Sequence, residues 1–329
     1  MPVIGNDALT LSDLATRSQD GKLSDIVELL SVDNEILMDM LWLEANERTA
    51  HTTTTRTGLP AVFWRMMNQG VPSTKSTTAQ IKEPCAELTA RAQVDEKLVN
   101  LSKDPARFRL GEAAAFVEAM SQEMASTLFY GAASSPNEFV GLANRYSARS
   151  GVPSAENIIH GGGSGSDNTS IWLVQWGDRS FHGIYPQGSK AGLDHQDMGV
   201  ELVDDGSGAS AMFRAYRDYF SWNCGIALRD WRYVVRVANI DVSNLIAESS
   251  ATDILKAMTK AVHKLPKSGQ GRKVFYVNRT VLTMLDIQAQ NKVNVYLNVG
   301  QEEGQPKLSF RGIPIRCCDA ILNTEATVS

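Results

Sequence analysis

Residues 49 to 93, TAHTTTTRTGLPAVFWRMMNQGVPSTKSTTAQIKEPCAELTARAQ, limit what this chain can become more than any other stretch. Threonine crowds the segment, and a β-branched side chain favours extended backbone. Pro60, Pro72 and Pro84 punctuate it, while Gly58 and Gly70 mark bends. The pattern predicts a long two-stranded excursion with little amphipathic content. An isolated hairpin is marginal in water. This one persists only by lying on another surface, of its own chain or of another.

The rest of the sequence offers bodies on which such an excursion could be mounted. Residues 110 to 131, LGEAAAFVEAMSQEMASTLFYG, read as one long helix. Leu110, Ala113, Ala114, Val117, Met120, Met124 and Leu128 recur at helical spacing, and Gly131 stands where a helix ends. At 1.5 Å per residue such a helix spans roughly 30 Å, the spine of a domain. Before it, the first 35 residues carry two short helical patterns. Ser24 is the candidate cap of the second, and its one apolar stripe (Ile26, Leu29, Leu30) is too small a core to stand alone. From 171 to 240 the pattern is mostly β, with IWLVQWG and FHGIYP spaced as a hairpin around a short turn. A second helix is expected over 252 to 265, capped by Thr252, with Lys256, Lys260 and Lys264 as its solvated face. VFYVN reads as a strand, RTVLTMLDIQAQ as a helix, VNVYLNV as a strand and LSFRGIPIRCC as the last strand. The fold class is therefore α+β around one central sheet, without internal repeats.

Composition enters through charge. The chain has 329 residues and a formal net charge of -5, which argues against sequence-specific nucleic-acid binding as its main task. No stretch reaches the roughly 18 apolar residues of a membrane helix, and the N-terminus has no signal-peptide pattern. Cys85, Cys224, Cys317 and Cys318 form no C-x-x-C pair and read as reduced thiols of a cytosolic product.

One segment looks like chemistry. HGGGSGSDNTS, starting at His160, places a glycine run beside a strand. A phosphate cradle needs a lysine after its glycines, and a dinucleotide turn needs a third glycine where Ser166 stands and a helix where a strand follows. The nucleophile elbow G-x-S-x-G fails at its last position as well. A hydrolase using Ser164 with His160 or His182 is the weaker alternative. Gly161, Gly162, Gly163 and Gly165 are read instead as hinge residues that free the backbone. The remaining histidines show no metal spacing, and LDHQD around His195 reads as a solvated loop. Trp172, Trp176, Trp222 and Trp231 read as core or interface residues. No catalytic, cofactor or metal site is expected.

Several stretches together resemble the major capsid proteins of tailed, and particularly short-tailed, bacteriophages. They are GLPAVFWRMMNQGVPSTKSTTAQI, RFRLGEAAAFVEAM, LFYG with FVGLANRYS, SGSDNTSIWLVQWG, FYVNRTVLTMLDIQAQ and FRGIPIRCCDAIL. The resemblance implies the Hong Kong 97-type capsid fold: an N-terminal arm (1–48), an extended β-loop (49–93), a peripheral domain (94–160) with spine helix 110–131, and an axial domain with closing peripheral strands (161–329). It implies a virion shell protein, assembled in the host cytoplasm from pentamers and hexamers into an icosahedral head around double-stranded DNA. Packaged DNA would be held non-specifically. A separate scaffolding protein, a portal protein and a cement or decoration protein are the implied partners, with no membrane and no cofactor. A decoration or tail protein is the alternative within the same particle. In the loop, Arg56, Trp64 and Arg65 are the expected inter-subunit anchors, since Arg and Trp are enriched at interface hot spots.

Overall fold

The computed structural model describes residues 18–19, 22–23, 34–204, 212–247, 253–266, 271–291, 297–302 and 305–329. The helical patterns expected before residue 34, with their cap Ser24, lie outside these residues, as does Thr252. The chain divides into two compact units.

Among the described residues, one unit contains Glu87–Ala125 and Gly192–Asn223. The long helix α1 (Pro105–Tyr130) begins here. It starts five residues earlier than the apolar spacing alone predicts, and the reason is local. Asp104 accepts a hydrogen bond from the Arg107 amide at 3.1 Å, and Pro105 fills the first helical position, where no amide hydrogen is needed. The buried face is only partly the expected one: Met120, Met124 and Leu128 are buried as the spacing predicts. Phe108 and Met120 are buried and Phe116 half-buried, while Leu110 and Val117 are exposed. Phe116 stacks on Phe220 at 6.1 Å, so the aromatic residues set the rotation of the helix. The unit's sheet is made by β4 (Ala86–Asp95), β8 (Leu193–Asp204) and β9 (Met212–Leu228). β9 pairs with β4 and, antiparallel, with β8, which stands at the edge. Arg109 ties the helix to this sheet through Asp218 and Asp197, each at 2.9 Å.

The second unit holds β1 (Trp42–Glu44), β5 (Ile158–His160), β6 (Asn168–Trp176), β7 (Phe181–Tyr185), β10 (Val234–Asp241) and β11 (Arg272–Val277). Helices α2 (Ile254–Lys264) and α3 (Arg279–Asn291) and strands β12 (Leu297–Glu302), β13 (Gln305–Phe310) and β14 (Ile313–Cys317) complete it. β6 runs through the middle, every residue buried, between antiparallel β10 and β11. Its centre, Ile171–Val174, is the continuous apolar run that two covered faces require, and the polar Asn168, Thr169, Ser170 and Gln175 are buried with it. Ile171, Leu173, Val235, Val237, Phe275 and Val277 face the stripe Ile254, Met258, Ala261 of α2 and Val281, Leu285 of α3. Asp253 rather than Thr252 caps α2, accepting from the Lys256 amide at 3.0 Å.

Two expectations fail here for stated reasons. The segments 168–176 and 181–185 are not a hairpin. They meet only at Trp176 and Phe181, in parallel sense, because β7 pairs instead with Gly225–Leu228 and with β1. The final strand is in fact the hairpin β13–β14. It turns at Arg311 (φ 52°) and Gly312 (φ 79°), two successive left-handed residues of the kind a tight two-residue turn requires. Gly131 does follow α1, without left-handed backbone. A Cβ there would lie 2.3 Å from the Phe139 carbonyl, so close packing excludes any side chain.

No helix among the described residues is long and apolar enough to cross a membrane.

Candidate functional site

The threonine-rich segment forms its own two-stranded sheet from β2 (Ala50–Gly58) and β3 (Thr77–Pro84), antiparallel, with Ala50 opposite Pro84 and Gly58 opposite Thr77. It closes at Pro84, and the following residues enter β4 of the other sheet. Polar side chains do the work that a core does elsewhere. The Asn46 amide brackets Thr52, donating to its carbonyl at 2.7 Å and accepting from its amide at 2.8 Å. Thr52 donates to Glu47 at 2.6 Å, and Lys82 pairs with the same carboxylate at 2.8 Å.

The base of the loop is buried and charged. Arg145 donates to both oxygens of Glu83 at 2.6 and 2.7 Å, a bidentate pair with little exposure on either side. Opposite Glu83 sits His51, with Arg229 at 3.0 Å from its Nε2 and the His182 ring edge-on at 5.8 Å. Burial, then Arg229 and His51, pull the His182 pKa from 6.5 down to about 4. Burial and Arg229 also lower that of His51, against the pull of Glu83 and Glu47. The folded chain thus refuses protons that the unfolded chain accepts below about pH 6.5. Stability is full above that pH and falls as pH drops towards 4, by about 3 kcal/mol from His182 alone. Urea unfolding of the unassembled protein at pH 7 and at pH 4 measures this, and His182→Gln should flatten the dependence.

Beyond Gly58 the two strands part, and residues 59–75 are all exposed. Trp64 is 104% exposed, Met67 92% and Val62 89%. Leu59, Phe63, Met66 and Val71 join them. The tip is shaped by a few local bonds, such as Thr74 Oγ1 to the Ala61 carbonyl at 2.8 Å and a turn through left-handed Asn68 (φ 66°). Arg56 and Arg65 are exposed with it. So large a set of apolar side chains in water marks a contact surface.

The glycine run is a different object. The Gly161 and Gly163 amides donate to the carbonyls of Ala238 and Asn239, both at 2.7 Å. A Cβ on Gly163 would lie 2.4 Å from Asn168 Oδ1 and 2.9 Å from the Asn239 carbonyl. These two glycines are anchored, and they are glycine because the backbone of β10 passes too close for anything else. Gly162 is exposed at φ 100°, and the Gly165 carbonyl accepts from Asn168 and Thr327. Gly163→Ala should cost about 1–3 kcal/mol by overpacking. Gly162→Ala should cost about 1–2 kcal/mol from backbone strain alone. Thermal unfolding of the two variants orders them.

Residues 318–329 form a strap over this region. Glu325 pairs in backbone with Asn168, the Asn239 side chain brackets Val328 through both its amide and carbonyl at 2.8 Å, and the Arg149 amide donates to the Ser329 carbonyl at 2.9 Å. Beneath it, Arg236 and Glu325 are paired at 2.9 Å, each 3% exposed. Tyr130 donates to Glu325 at 2.6 Å, Ser170 donates to the same carboxylate, and Arg236 lies 5.0 Å over the Trp172 ring. Burial, reinforced by Glu325, holds the Tyr130 phenol far above its usual pKa. Nothing in the sequence pattern singled out this pair.

The histidines and serine of the hydrolase alternative are not brought into one constellation. His160 Nδ1 meets the Asn239 amide at 3.2 Å, His182 is fully buried, and Ser164 is exposed. His195 binds Asp218 at 3.0 Å and stacks on Phe220. Among the described residues no group of three or more His, Cys, Asp or Glu is placed to hold a metal ion.

The family model for the major capsid protein GP7 matches residues 18–329. In a structure of bacteriophage Epsilon15, a chain that is 33% identical matches 100% of this chain and 99% of its own, with a TM-score of 0.81. A chain of the bacteriophage JBD30 capsid matches 95% of this chain and 99% of its own at 8% identity and a TM-score of 0.50, a likeness of fold. No curated protein matches the chain.

Proposed function

Since the chain belongs to the GP7 family of major capsid proteins, we propose that its extended loop is the fastener by which one subunit holds the next. The chain has the Hong Kong 97-type capsid fold and is a bacteriophage shell protein, a component of the virion that self-assembles into a multimeric shell. Its role there is structural.

The observation that carries the proposal is the tip at 59–75, whose large apolar side chains have no core of their own. In a shell every subunit has neighbours, and the contact that a free hairpin lacks is supplied by the next copy. Trp64 is the anchor, with Arg56 and Arg65 holding its orientation. The domain reading follows the same architecture: 1–48 as arm, 49–93 as extended loop, 94–160 as peripheral domain, 161–329 as axial domain with closing strands. Gly162 and Gly165 are the positions where the backbone near the strap can adjust between rings, while Gly161 and Gly163 fix its ends. The subunits close as pentamers and hexamers of an icosahedral head around double-stranded DNA, held non-specifically. Assembly takes place in the host cytoplasm with a separate scaffolding protein and a portal protein, and a cement or decoration protein joins afterwards. No catalytic step is part of this role.

Electron cryo-microscopy and sedimentation of the purified chain, with and without a scaffolding protein, test the reading. Closed shells with fivefold and sixfold capsomers are expected. A chain that stays monomeric under every condition overturns it.

A further inference from the structure

The sulfur atoms of this chain are divided between two environments. Of its eleven methionines, an adjacent pair, Met66 and Met67, stands at the tip of the extended loop. Met67 is 92% exposed and Met66 68%. The turn that holds them is local: the Met66 carbonyl accepts from the Gln69 amide at 3.3 Å, through left-handed Asn68. All of 59–75 is exposed, so both thioethers meet solvent.

Most of the other sulfurs are withdrawn. Met40, Met120, Met124, Met258 and Met284 are buried. Cys224, Cys317 and Cys318 are buried and Cys85 is half-buried. Burial pushes the Cys85 thiol up to about 11 and those of Cys224 and Cys318 up to about 12. Oxidants attack the thiolate, and these thiols are almost never thiolates near neutral pH. Two-electron oxidation is therefore directed to exposed thioethers. Among the described residues these are the tip pair and, on other elements, Met38, Met198 and Met212.

We propose that Met66 and Met67 are a reversible oxidation site that switches the loop from an adhesive to a non-adhesive form. The oxidant is a peroxide. The methionine sulfur attacks one peroxide oxygen, an S–O bond forms as the O–O bond breaks, and the departing oxygen takes up the proton and leaves as water or an alcohol. Sulfur loses two electrons and the peroxide gains them. A dithiol reverses the step: it gives two electrons and two protons, becomes a disulfide, and the sulfoxide oxygen leaves as water. The sulfoxide is polar where the thioether was apolar. The proposal rests on the reading of the loop as a fastener and adds a chemical state that disables it. A tip that must leave water to hold a neighbour then buries two polar groups, which should weaken the contact about tenfold or more. Once the tip is covered in a shell, its sulfurs are shielded, so only the unassembled subunit is sensitive.

The test treats unassembled chains and finished shells with the same dose of hydrogen peroxide, then maps sulfoxides by peptide mass spectrometry and follows assembly by light scattering. Met66 and Met67 should oxidise about tenfold faster in the unassembled chain than in shells, since susceptibility follows exposure. Treated chains should assemble about tenfold more slowly or worse. Incubation with methionine sulfoxide reductases for both sulfoxide epimers and a dithiol should restore the rate, an arm that needs no substitution. Met66→Leu with Met67→Leu conserves volume, and that chain should keep its assembly rate after peroxide. If it loses assembly as the parent does, or if reduction restores nothing, the tip is not the switch. If the parent carries both sulfoxides and assembles at an unchanged rate, the switch is overturned as well. The chain lacking 58 to 72 separates the two readings in the same assay. Shells from the oxidised parent but none from the deleted chain overturn the switch alone, whereas shells from the deleted chain overturn the fastener with it.

Discussion

Deleting residues 58 to 72 is expected to yield a chain that folds normally and builds no shells. Of the residues removed, Gly58 only ends β2 opposite Thr77 and 59–72 are all exposed, so the deletion takes no side chain from either core. The two strands below it remain tied by Asn46, Glu47 and the Arg145–Glu83 pair. Circular dichroism and the urea midpoint of the monomer should match those of the full chain. Assembly is another matter. A single hot-spot aromatic contributes about 2–4 kcal/mol to an interface, which is roughly 30- to 1000-fold in a pairwise dissociation constant. Every subunit of a shell repeats the loss, so Trp64→Ala alone should raise the concentration needed for assembly by at least the lower figure. Sedimentation velocity and negative-stain microscopy read it directly. Normal shells from the deleted chain would end the role assigned to the loop, and a collapsed monomer would place these side chains in a core.

The second large effect is on stability. Glu325→Ala should cost the subunit about 3–5 kcal/mol, because it leaves the Arg236 guanidinium buried without its carboxylate. The hydroxyls of Tyr130 and Ser170 lose their acceptor in the same step. Arg236 keeps its bonds to the Tyr146 carbonyl at 2.8 Å and to Ser170 at 3.0 Å, which is why the cost is several kcal/mol and not a complete failure to fold. Replacing both partners, Arg236→Met with Glu325→Leu, should be milder than the single change, since no charge is then stranded. Urea unfolding of the three chains gives the ordering. If the double variant is the least stable of the three, electrostatic stranding is not the cause.

How much of this could be read from residues alone depends on how local the cause is. The loop was legible because threonine, proline and glycine act on their own backbone, and because an apolar tip without periodicity has nowhere to go within the segment. The start of α1 was equally local, in Asp104 and Pro105, yet apolar spacing points to Leu110 first. Spacing alone found Met120, Met124 and Leu128 but missed Phe108 and Phe116, which are buried by the sheet opposite and not by anything in the helix. The hairpin at Arg311 hid behind an arginine in left-handed backbone, a residue that rarely advertises a turn. The wrong pairing of 168–176 with 181–185 shows the limit most clearly. Their separation suits a hairpin, and only the distant strands 225–228 and 42–44 explain why β7 goes elsewhere. The Arg236–Glu325 pair joins positions 89 residues apart, and no local pattern announces such a partner. For the glycines, the sequence reads freedom of φ, whereas Gly161 and Gly163 are small because another strand occupies the space a side chain would need.

The strap over 318–329 also sets an order of events during synthesis. Tyr130, Arg149, Asn168, Arg236 and Asn239 leave the ribosome long before the residues that satisfy them. A nascent chain therefore has a complete, adhesive loop while the body that carries it still has an unmatched guanidinium inside. At about 5–20 residues per second, the roughly 225 residues between the loop and the strap take about 10–45 seconds to appear. Over that interval the loop is exposed on a subunit whose Arg236 still lacks its carboxylate. Completion of the body thus waits on residues 318–329, which reach Asn168, Arg236 and Asn239 only after the loop and both flanking strands are already made.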